Sequence, residues 1–153
     1  MTRGLSGERS SPVDIQVKDG DVARLLVDPL FERNGSRARA REDDLFFLAM
    51  IENSLAGCVR YCVESGTPML RSMMVDEQQR RMGIGLKLLQ EFAAYLDRNQ
   101  IQNVYCLPYA HLETFYARAG FLRVHPGEAP AFLQERLQDY TWTGTRCICM
   151  RRP

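Results

Sequence analysis

The sequence of 153 residues lacks the features of several large protein classes. No apolar run approaches the roughly 20 residues that cross a bilayer, which argues against a membrane protein. Residues 1–11 are polar and lack the apolar segment of a secretory signal, so we expect a cytoplasmic protein in which they form a disordered tail. The formal net charge of +1 argues against bulk attraction to nucleic acid or to a membrane, although a local basic patch is compatible with it.

The sequence also lacks a clear metal-binding pattern. Its five cysteines are odd in number, and all fall in predicted strands, whereas zinc ligands usually come in closely spaced pairs on turns. We therefore interpret them as small, buried, apolar residues in a reducing compartment, and we predict reduced thiols and no bound metal. The cysteines are Cys58, Cys62, Cys106, Cys147 and Cys149.

What is present is ordinary for a globular domain. Hydrophobic residues make up 45% of the chain and charged residues 25%, which is typical of soluble proteins. The length is sufficient to bury a core, and there are no internal repeats. We predict a single domain over residues 12–153.

Apolar periodicity predicts the order β-α-β-β-β-α-β-α-β-α-β, a mixed α/β domain. Short polar turns join three of the strands into an antiparallel meander, and a helical crossover then implies one parallel pair, residues 69–75 with 101–107. We expect Pro29 to kink or end the first helix. The predicted strands cover residues 13–17, 45–51, 55–64, 69–75, 101–107, 121–124 and 145–151, and the predicted helices begin near residues 19, 83, 111 and 130.

A basic segment follows the first helix. Residues 32–44 contain Arg33, Arg37, Arg39 and Arg41, and the most direct interpretation is a solvated loop. The alternative is an arm that binds nucleic acid. That alternative is disfavoured because no aromatic side chains are interleaved among the arginines to stack on bases.

The sequence is organised around a basic, glycine-rich turn from Arg80 to Gly85, between a predicted strand and a predicted helix. Helix N-termini carry unpaired N–H groups and the positive end of the helix dipole, and glycine lets the backbone approach a ligand closely. The context therefore predicts a pyrophosphate-binding site. A P-loop is excluded, because Leu86-Lys87-Leu88 follows the turn. A Rossmann fingerprint is disfavoured, because Leu88 stands where glycine or alanine is needed.

Two motifs stand in order along the chain, R-x-x-G-x-G at Arg80–Gly85 and F-Y-x-x-x-G-F at Phe115–Phe121. Together, in this order, they resemble those of the GNAT superfamily of acyl-CoA N-acyltransferases. The R-x-x-G-x-G of Arg80–Gly85 is similar to the family's acyl-CoA-binding turn, and the F-Y-x-x-x-G-F of Phe115–Phe121 is similar to the string that closes its cofactor site. The predicted element order also matches over about residues 13–150. The resemblance implies a central mixed sheet of about seven strands flanked by helices. It also implies transfer of an acetyl group from acetyl-CoA to an amine, by direct attack in a ternary complex.

The resemblance further implies where CoA binds. In such a fold the strand before the turn diverges from the strand after the helix, and the pantetheine arm enters the gap, with the thioester near Met74 and Cys106. The turn would bind the pyrophosphate, and the Tyr116 hydroxyl would protonate the departing thiolate. The implied CoA-binding residues are Met73, Met74, Val75, Arg80, Arg81, Met82, Gly83, Ile84, Gly85, Leu86 and Tyr116.

The group that takes the proton from the amine is left open. His111 and Glu113 lie on the predicted helix of Tyr116 and are candidate general bases. Residues 70–74 lack the acid that several GNAT families carry on the strand before the turn, so a non-catalytic acyl-CoA-binding sensor or interaction module is the alternative function. Cys106 on its strand is better interpreted as an inert thiol than as a nucleophile. The acceptor, a small-molecule or peptide amine, is not identified, and homodimers are frequent in the family.

Overall fold

The protein, described here by a computed structural model over residues 12–153, has one mixed sheet of seven strands in the order β1-β2-β3-β4-β5-β7-β6. The predicted tail, residues 1–11, lies outside the described residues. Four α-helices accompany the described strands. The strands are β1 (Asp14–Asp19), β2 (Leu45–Ile51), β3 (Ser54–Glu64), β4 (Thr67–Val75), β5 (Val104–Cys106), β6 (Leu122–Arg123) and β7 (Met150–Arg152), and the helices are α1 (Gly20–Arg33), α2 (Ile84–Arg98), α3 (Glu113–Ala117) and α4 (Ala131–Trp142).

Strands β1 to β4 form the predicted antiparallel meander. Two-residue turns at Glu52-Asn53 and Ser65-Gly66 join β2 to β3 and β3 to β4, and all four residues have positive φ. Such turns match the twist of a tight hairpin. Helix α2 then carries the chain across to β5, which pairs with β4 in parallel at Met69 and Tyr105. The predicted fold class, meander and crossover are confirmed.

Two local predictions about the helices and strands are corrected by the structure. Pro29 was predicted to kink or end α1; it lies inside the helix and does not end it, since the helix continues to Arg33, and the kink stays a prediction. The carbonyl that loses its partner there belongs to Leu25, which is 79% exposed, so water can bind that carbonyl. The last strands are also shorter than predicted: β5 and β7 have three residues each, because each pairs over only a short register.

The sheet packs helices on both sides. On one side, here called face A, α2 and α3 cover side chains such as Phe47, Val59 and Leu70. On the other, face B, one cluster joins α1 to β2 and β3, and a second joins α4 to β3, β4 and β5. Alternation along β3 sends Cys58 and Cys62 to face B, in agreement with their prediction as buried apolar residues.

The described helices and side chains place limits on two kinds of site. No helix within residues 12–153 is long and apolar enough to cross a membrane. Over the same residues, no three histidine, cysteine or acidic side chains cluster closely enough to hold a metal ion. All five cysteines are free thiols, and four of them are buried.

Candidate active site

Strand β4 is interrupted by a bulge at Ser72. Cys58 pairs with Met74 and Arg60 with Arg71, so one residue of β3 faces two residues of β4. Ser72 takes the left-handed conformation, with φ of 55°, and the Cys58 thiol donates to its carbonyl oxygen at 3.7 Å. Bulges of this kind bend the strand and release part of its edge from pairing. The sequence analysis missed this feature, although a serine within an apolar run was a weak signal for it.

The bulge reverses the alternation of side chains in the second half of β4. Without it, Met74 would share face A with Leu70; instead Met73 packs on face A and Met74 packs against the α1 cluster on face B. The structure therefore puts the Met73 side chain, rather than that of Met74, beside Cys106. The thioester position near Met74 and Cys106, which the resemblance implies, stays a prediction.

A gap opens between β4 and β5 beyond their single paired position. Past Met69, the edge of β4 that faces β5 meets no described strand. A cavity of about 150 Å³ lies in this gap, and its lining includes Ser72, Met73, Cys106 and Tyr116. An unpaired strand edge offers free backbone N–H and C=O groups to an extended ligand.

The glycine turn, Arg80–Gly85, lies at the far end of β4 and leads into α2. Arg81 and Gly83 both have positive φ, 73° and 75°. The first backbone hydrogen bond of α2 runs from Lys87 N to Gly83 O at 3.1 Å, so the N–H groups before Lys87 have no partner in the helix. The turn therefore combines a helix N-terminus with successive N–H groups in alternating conformations, an arrangement whose geometry suits an oxyanion.

The two arginines of the turn remain available for a ligand. Both are exposed. The Arg80 Nε donates to Val75 O at 3.2 Å, and within residues 12–153 neither Arg80 nor Arg81 forms an ion pair with an acidic side chain. A Cβ atom added at Gly83 would meet no protein atom within 4 Å, so this part of the turn is open. These charges add to the field of the helix N-terminus.

Tyr116 reaches the gap from face A. Its side chain is 5% exposed, packs edge-on against Phe115 and Phe121, and lines the cavity. Gly120 ends the segment with φ of 94°, and this turn brings Phe121 N back to Tyr116 O. Burial, with a smaller effect from Cys106, raises the pKa of the Tyr116 hydroxyl, so the hydroxyl stays protonated at neutral pH and can donate a hydrogen bond into the gap.

The two candidate bases are not brought to the gap. His111 is exposed and stacks on Tyr109, with ring centroids 5.7 Å apart. Glu113 Oε1 accepts a hydrogen bond from Arg123 Nη1 at 3.4 Å, and neither residue lines the cavity. A 3₁₀ turn over Ala110–Leu112 precedes α3 and changes the phase that a continuous helix would give. Their role as general base stays a prediction without geometric support.

Cys106 lies in the wall of the gap with 2% of its surface exposed. Burial, and to a smaller extent the nearby Cys149, raises the pKa of its thiol well above the usual range. A neutral thiol is a poor nucleophile. The burial of Cys106 therefore disfavours a covalent acyl-cysteine route. This agrees with the interpretation of Cys106 as an inert thiol in the sequence analysis.

Three charged side chains form a cluster at the face-B side of the gap. Glu64 Oε2 accepts from Arg71 Nη1 at 2.8 Å, and Glu64 Oε1 accepts from Arg136 Nη2 at 2.6 Å. Burial alone would raise the pKa of Glu64, but the two guanidinium groups outweigh it and hold the pKa below its usual value. These three residues, here called the arginine cluster, were missed by the sequence analysis, because 72 residues separate Glu64 from Arg136.

A buried ion pair on face B attaches the basic segment to the sheet. Arg60 Nη1 donates to Asp44 Oδ2 at 2.8 Å and to Arg39 O at 3.0 Å, and both side chains of the pair are nearly inaccessible. The Arg60 guanidinium also lies 5.0 Å from the Phe46 ring centroid. The basic segment predicted to be a solvated loop is therefore attached to the sheet by its backbone, while many of its side chains stay exposed.

Comparison with known proteins agrees with this fold. Residues 42–123, more than half of the chain, match the family model of the acetyltransferase (GNAT) domain. No curated protein matches the sequence significantly.

Solved structures resemble the whole described fold. Escherichia coli ElaA is 18% identical with a TM-score of 0.66, and the match covers 93% of this chain and 100% of ElaA. An acyl-CoA N-acyltransferase from Pseudomonas aeruginosa is 19% identical with a TM-score of 0.68, with coverage of 93% and 100%.

A third structure, N-acetylglutamate synthase from Neisseria gonorrhoeae complexed with coenzyme A and N-acetyl-glutamate, is 21% identical with a TM-score of 0.64. The match covers 95% of this chain and 36% of the synthase, so the chain spans about a third of that protein. At these identities the structures show a shared fold. Together with the match of the family model, they show that the chain belongs to the GNAT superfamily of acyltransferases.

Proposed function

We propose that the protein transfers an acetyl group from acetyl-CoA to an amine by direct attack in a ternary complex. The observation that carries the proposal is the alignment of three parts along one path. An oxyanion site at the glycine turn leads to the free edge of β4, which leads to a cavity containing a protonated tyrosine. A long ligand with a pyrophosphate at one end and a thioester at the other matches this order.

The binding contribution of each part follows from its chemistry. The N–H groups of the glycine turn, with Arg80 and Arg81, would hold the pyrophosphate through charge-assisted hydrogen bonds. The backbone of residues 73–75 would bind the amides of the pantetheine arm. One of the N–H groups near Met74 or Val75 would stabilise the negative charge that develops on the thioester oxygen.

The reaction balances with few protein groups. The neutral amine nitrogen attacks the thioester carbonyl carbon, a C–N bond forms, and the C–S bond breaks with its electron pair on sulfur. Tyr116 donates its proton to the thiolate and regains one from solvent. The amine nitrogen loses its proton to water or to a base that is not identified. Holding both substrates in one gap supplies much of the rate enhancement through orientation.

A matched pair of glycine variants tests the proposed CoA site. Gly83 and Gly35 have the same φ, 75°, and a Cβ at either would meet no protein atom within 4 Å. Valine at either position therefore meets the same unfavourable φ, but only Gly83→Val places a side chain where the pyrophosphate would lie. Losing charge-assisted hydrogen bonds of roughly 1.5–3 kcal/mol each predicts at least about 100-fold weaker CoA binding by calorimetry.

The control variant, Gly35→Val, is expected to keep the CoA affinity of the unsubstituted protein, and thermal unfolding of both variants reports any shared loss of stability. Equal CoA affinity in the two variants would show that the glycine turn does not bind the pyrophosphate of CoA. Release of free CoA thiol from acetyl-CoA over a panel of amines then tests the transfer step itself.

A further inference from the structure

We propose that the amine acceptor carries a carboxylate, which Arg71 and Arg136 bind at the face-B side of the gap. This inference rests on the proposed acetyl transfer and adds the chemical class of the acceptor. It concerns the arginine cluster, which has no part in the proposed binding of CoA.

The position of the two arginines connects them to the reaction. Arg71 directly precedes the bulge residue Ser72 on β4, and Arg136 projects from α4 on face B. Both line the cavity of about 150 Å³ that Tyr116 lines from face A. An acceptor held by the arginines therefore enters the gap from the side opposite to Tyr116, and its amine lies in the same cavity as the thiolate donor.

The charges of this cavity favour an anionic group. Two guanidinium groups share the one carboxylate of Glu64, which leaves one positive charge in excess. Of the described residues that line the cavity, none is acidic. A cationic acceptor without a carboxylate, such as a polyamine, would meet this excess positive charge and be repelled, whereas a carboxylate would be attracted.

The guanidinium groups also retain unused donors. Each presents five N–H donors in a fixed fork, and Glu64 takes one short contact from each of them. Arg136 Nη1 is buried and has no hydrogen-bond partner within the described residues. A buried donor without an acceptor is unfavourable, and a small rotation of the guanidinium toward a carboxylate in the gap would satisfy it.

The neighbouring cavity on face B does not change this balance. It measures about 330 Å³, shares the arginine cluster, and adds Arg41 and Arg60 opposite Asp43 and Asp44. Since those added charges match in number, the excess positive charge of the whole face-B opening comes from the cluster. The carboxylate of the acceptor is therefore expected between Arg71 and Arg136.

The test compares acceptors that differ only in the carboxylate. Binding of CoA is measured first by calorimetry, and its absence would overturn the proposed function and this inference with it. With CoA binding established, release of CoA thiol is measured with a panel of free L-amino acids, each beside its carboxamide, and with spermidine. We expect the best free amino acid to exceed its carboxamide and spermidine at least tenfold in kcat/KM.

Two other outcomes of this comparison would overturn the inference. Equal or faster transfer to carboxamides or to spermidine would overturn this inference and leave the acetyltransferase proposal intact. CoA binding without acetyl transfer to any free amino acid would also overturn this inference. This comparison uses the unsubstituted protein, so it does not depend on whether variants fold.

Substitution of Arg71 and Arg136 then tests whether these two residues cause the preference for a carboxylate. Arg71→Gln and Arg136→Gln are each expected to raise KM for the preferred amino acid at least tenfold, with a much smaller change in kcat, in KM for its carboxamide and in CoA affinity. Arg24→Gln is the matched control, because Arg24 is an exposed arginine with an ion pair to Asp21 at 3.7 Å. A carboxylate preference that persists in both cluster variants would overturn the assignment.

Discussion

The two sides of the gap between β4 and β5 are built in different ways. The side assigned to CoA is centred on consecutive residues, and its features are backbone conformations: the left-handed Arg81 and Gly83, and the start of α2. The side assigned to the acceptor consists of side chains from β3, β4 and α4, held by ion pairs between distant residues. A contiguous backbone site leaves a motif in the sequence, and a side-chain site assembled from distant elements does not.

The energetics of the two sides differ for the same reason. Arg80 and Arg81 are exposed cations, and neither is buried against other side chains of the folded protein. Their charges are therefore expected to contribute little to the free energy of unfolding. Arg60, in contrast, is buried against Phe46 and paired with Asp44. Breaking a buried pair leaves an uncompensated charge and is costly, whereas an exposed charge contributes little to stability. Three predictions, from the largest expected effect to the smallest, test this contrast.

Tyr116→Phe separates the chemistry of the gap from the binding of CoA. The phenyl ring keeps its packing against Phe115 and Phe121, and only the hydroxyl is lost. If that hydroxyl protonates the thiolate, kcat should fall by about 10²–10⁴, while CoA affinity should stay within about twofold, because the backbone site is untouched. The measurements are kcat with an accepted amine and the calorimetric Kd of CoA. A normal kcat, with chemistry shown to be rate-limiting, would assign the protonation to water or to another group.

Arg60→Met tests how far the acceptor side depends on buried side-chain pairs. It leaves the buried carboxylate of Asp44 without its ionic partner, so the free energy of unfolding should fall by about 3–5 kcal/mol. Arg81→Met, an exposed arginine on the CoA side, should stay within about 0.5 kcal/mol of the parent protein. Urea unfolding measures both variants.

The partner substitution sharpens that test. In the double variant Arg60→Met with Asp44→Asn the unpaired charge is gone, and the loss should be smaller than for Arg60→Met alone. Equal losses for Arg60→Met and Arg81→Met would show that the two sides do not differ in this respect.

The buried thiols of face B predict a smaller, pH-dependent effect. Burial raises the pKa of Cys58 and of Cys62 from 9.0 to about 12. Between these values the unfolded chain loses the proton while the folded protein keeps it, so the folded state binds more protons and the free energy of unfolding falls as pH rises. The slope is at most about 1.4 kcal/mol per pH unit for each thiol.

Urea unfolding at intervals from pH 8 to pH 11 measures this slope. The double variant Cys58→Ala with Cys62→Ala should have a shallower slope above pH 9, and Arg81→Gln, on the CoA side, should keep the parental slope. An unchanged slope in the alanine variant would contradict the thiol origin of the effect.

The sequence alone determined the parts of this protein that depend on neighbouring residues. The meander follows from alternating strands and two-residue turns, and the proposed oxyanion site follows from glycines placed between a strand and a helix. The position of Tyr116 follows from its short helix and the glycine after it. In each case the conformation is set within a few residues, so a local motif is sufficient.

The tertiary structure decided everything that depends on register or on distant contacts. A single bulged residue at Ser72 exchanged the faces of Met73 and Met74, which periodicity cannot foresee because one inserted residue reverses every later side chain. A 3₁₀ turn placed His111 at the surface. Glu64 met Arg136 only because α4 packs on face B beside β3. Which charges face the gap is therefore a property of the packed sheet and helices, since no local stretch of the chain contains both partners.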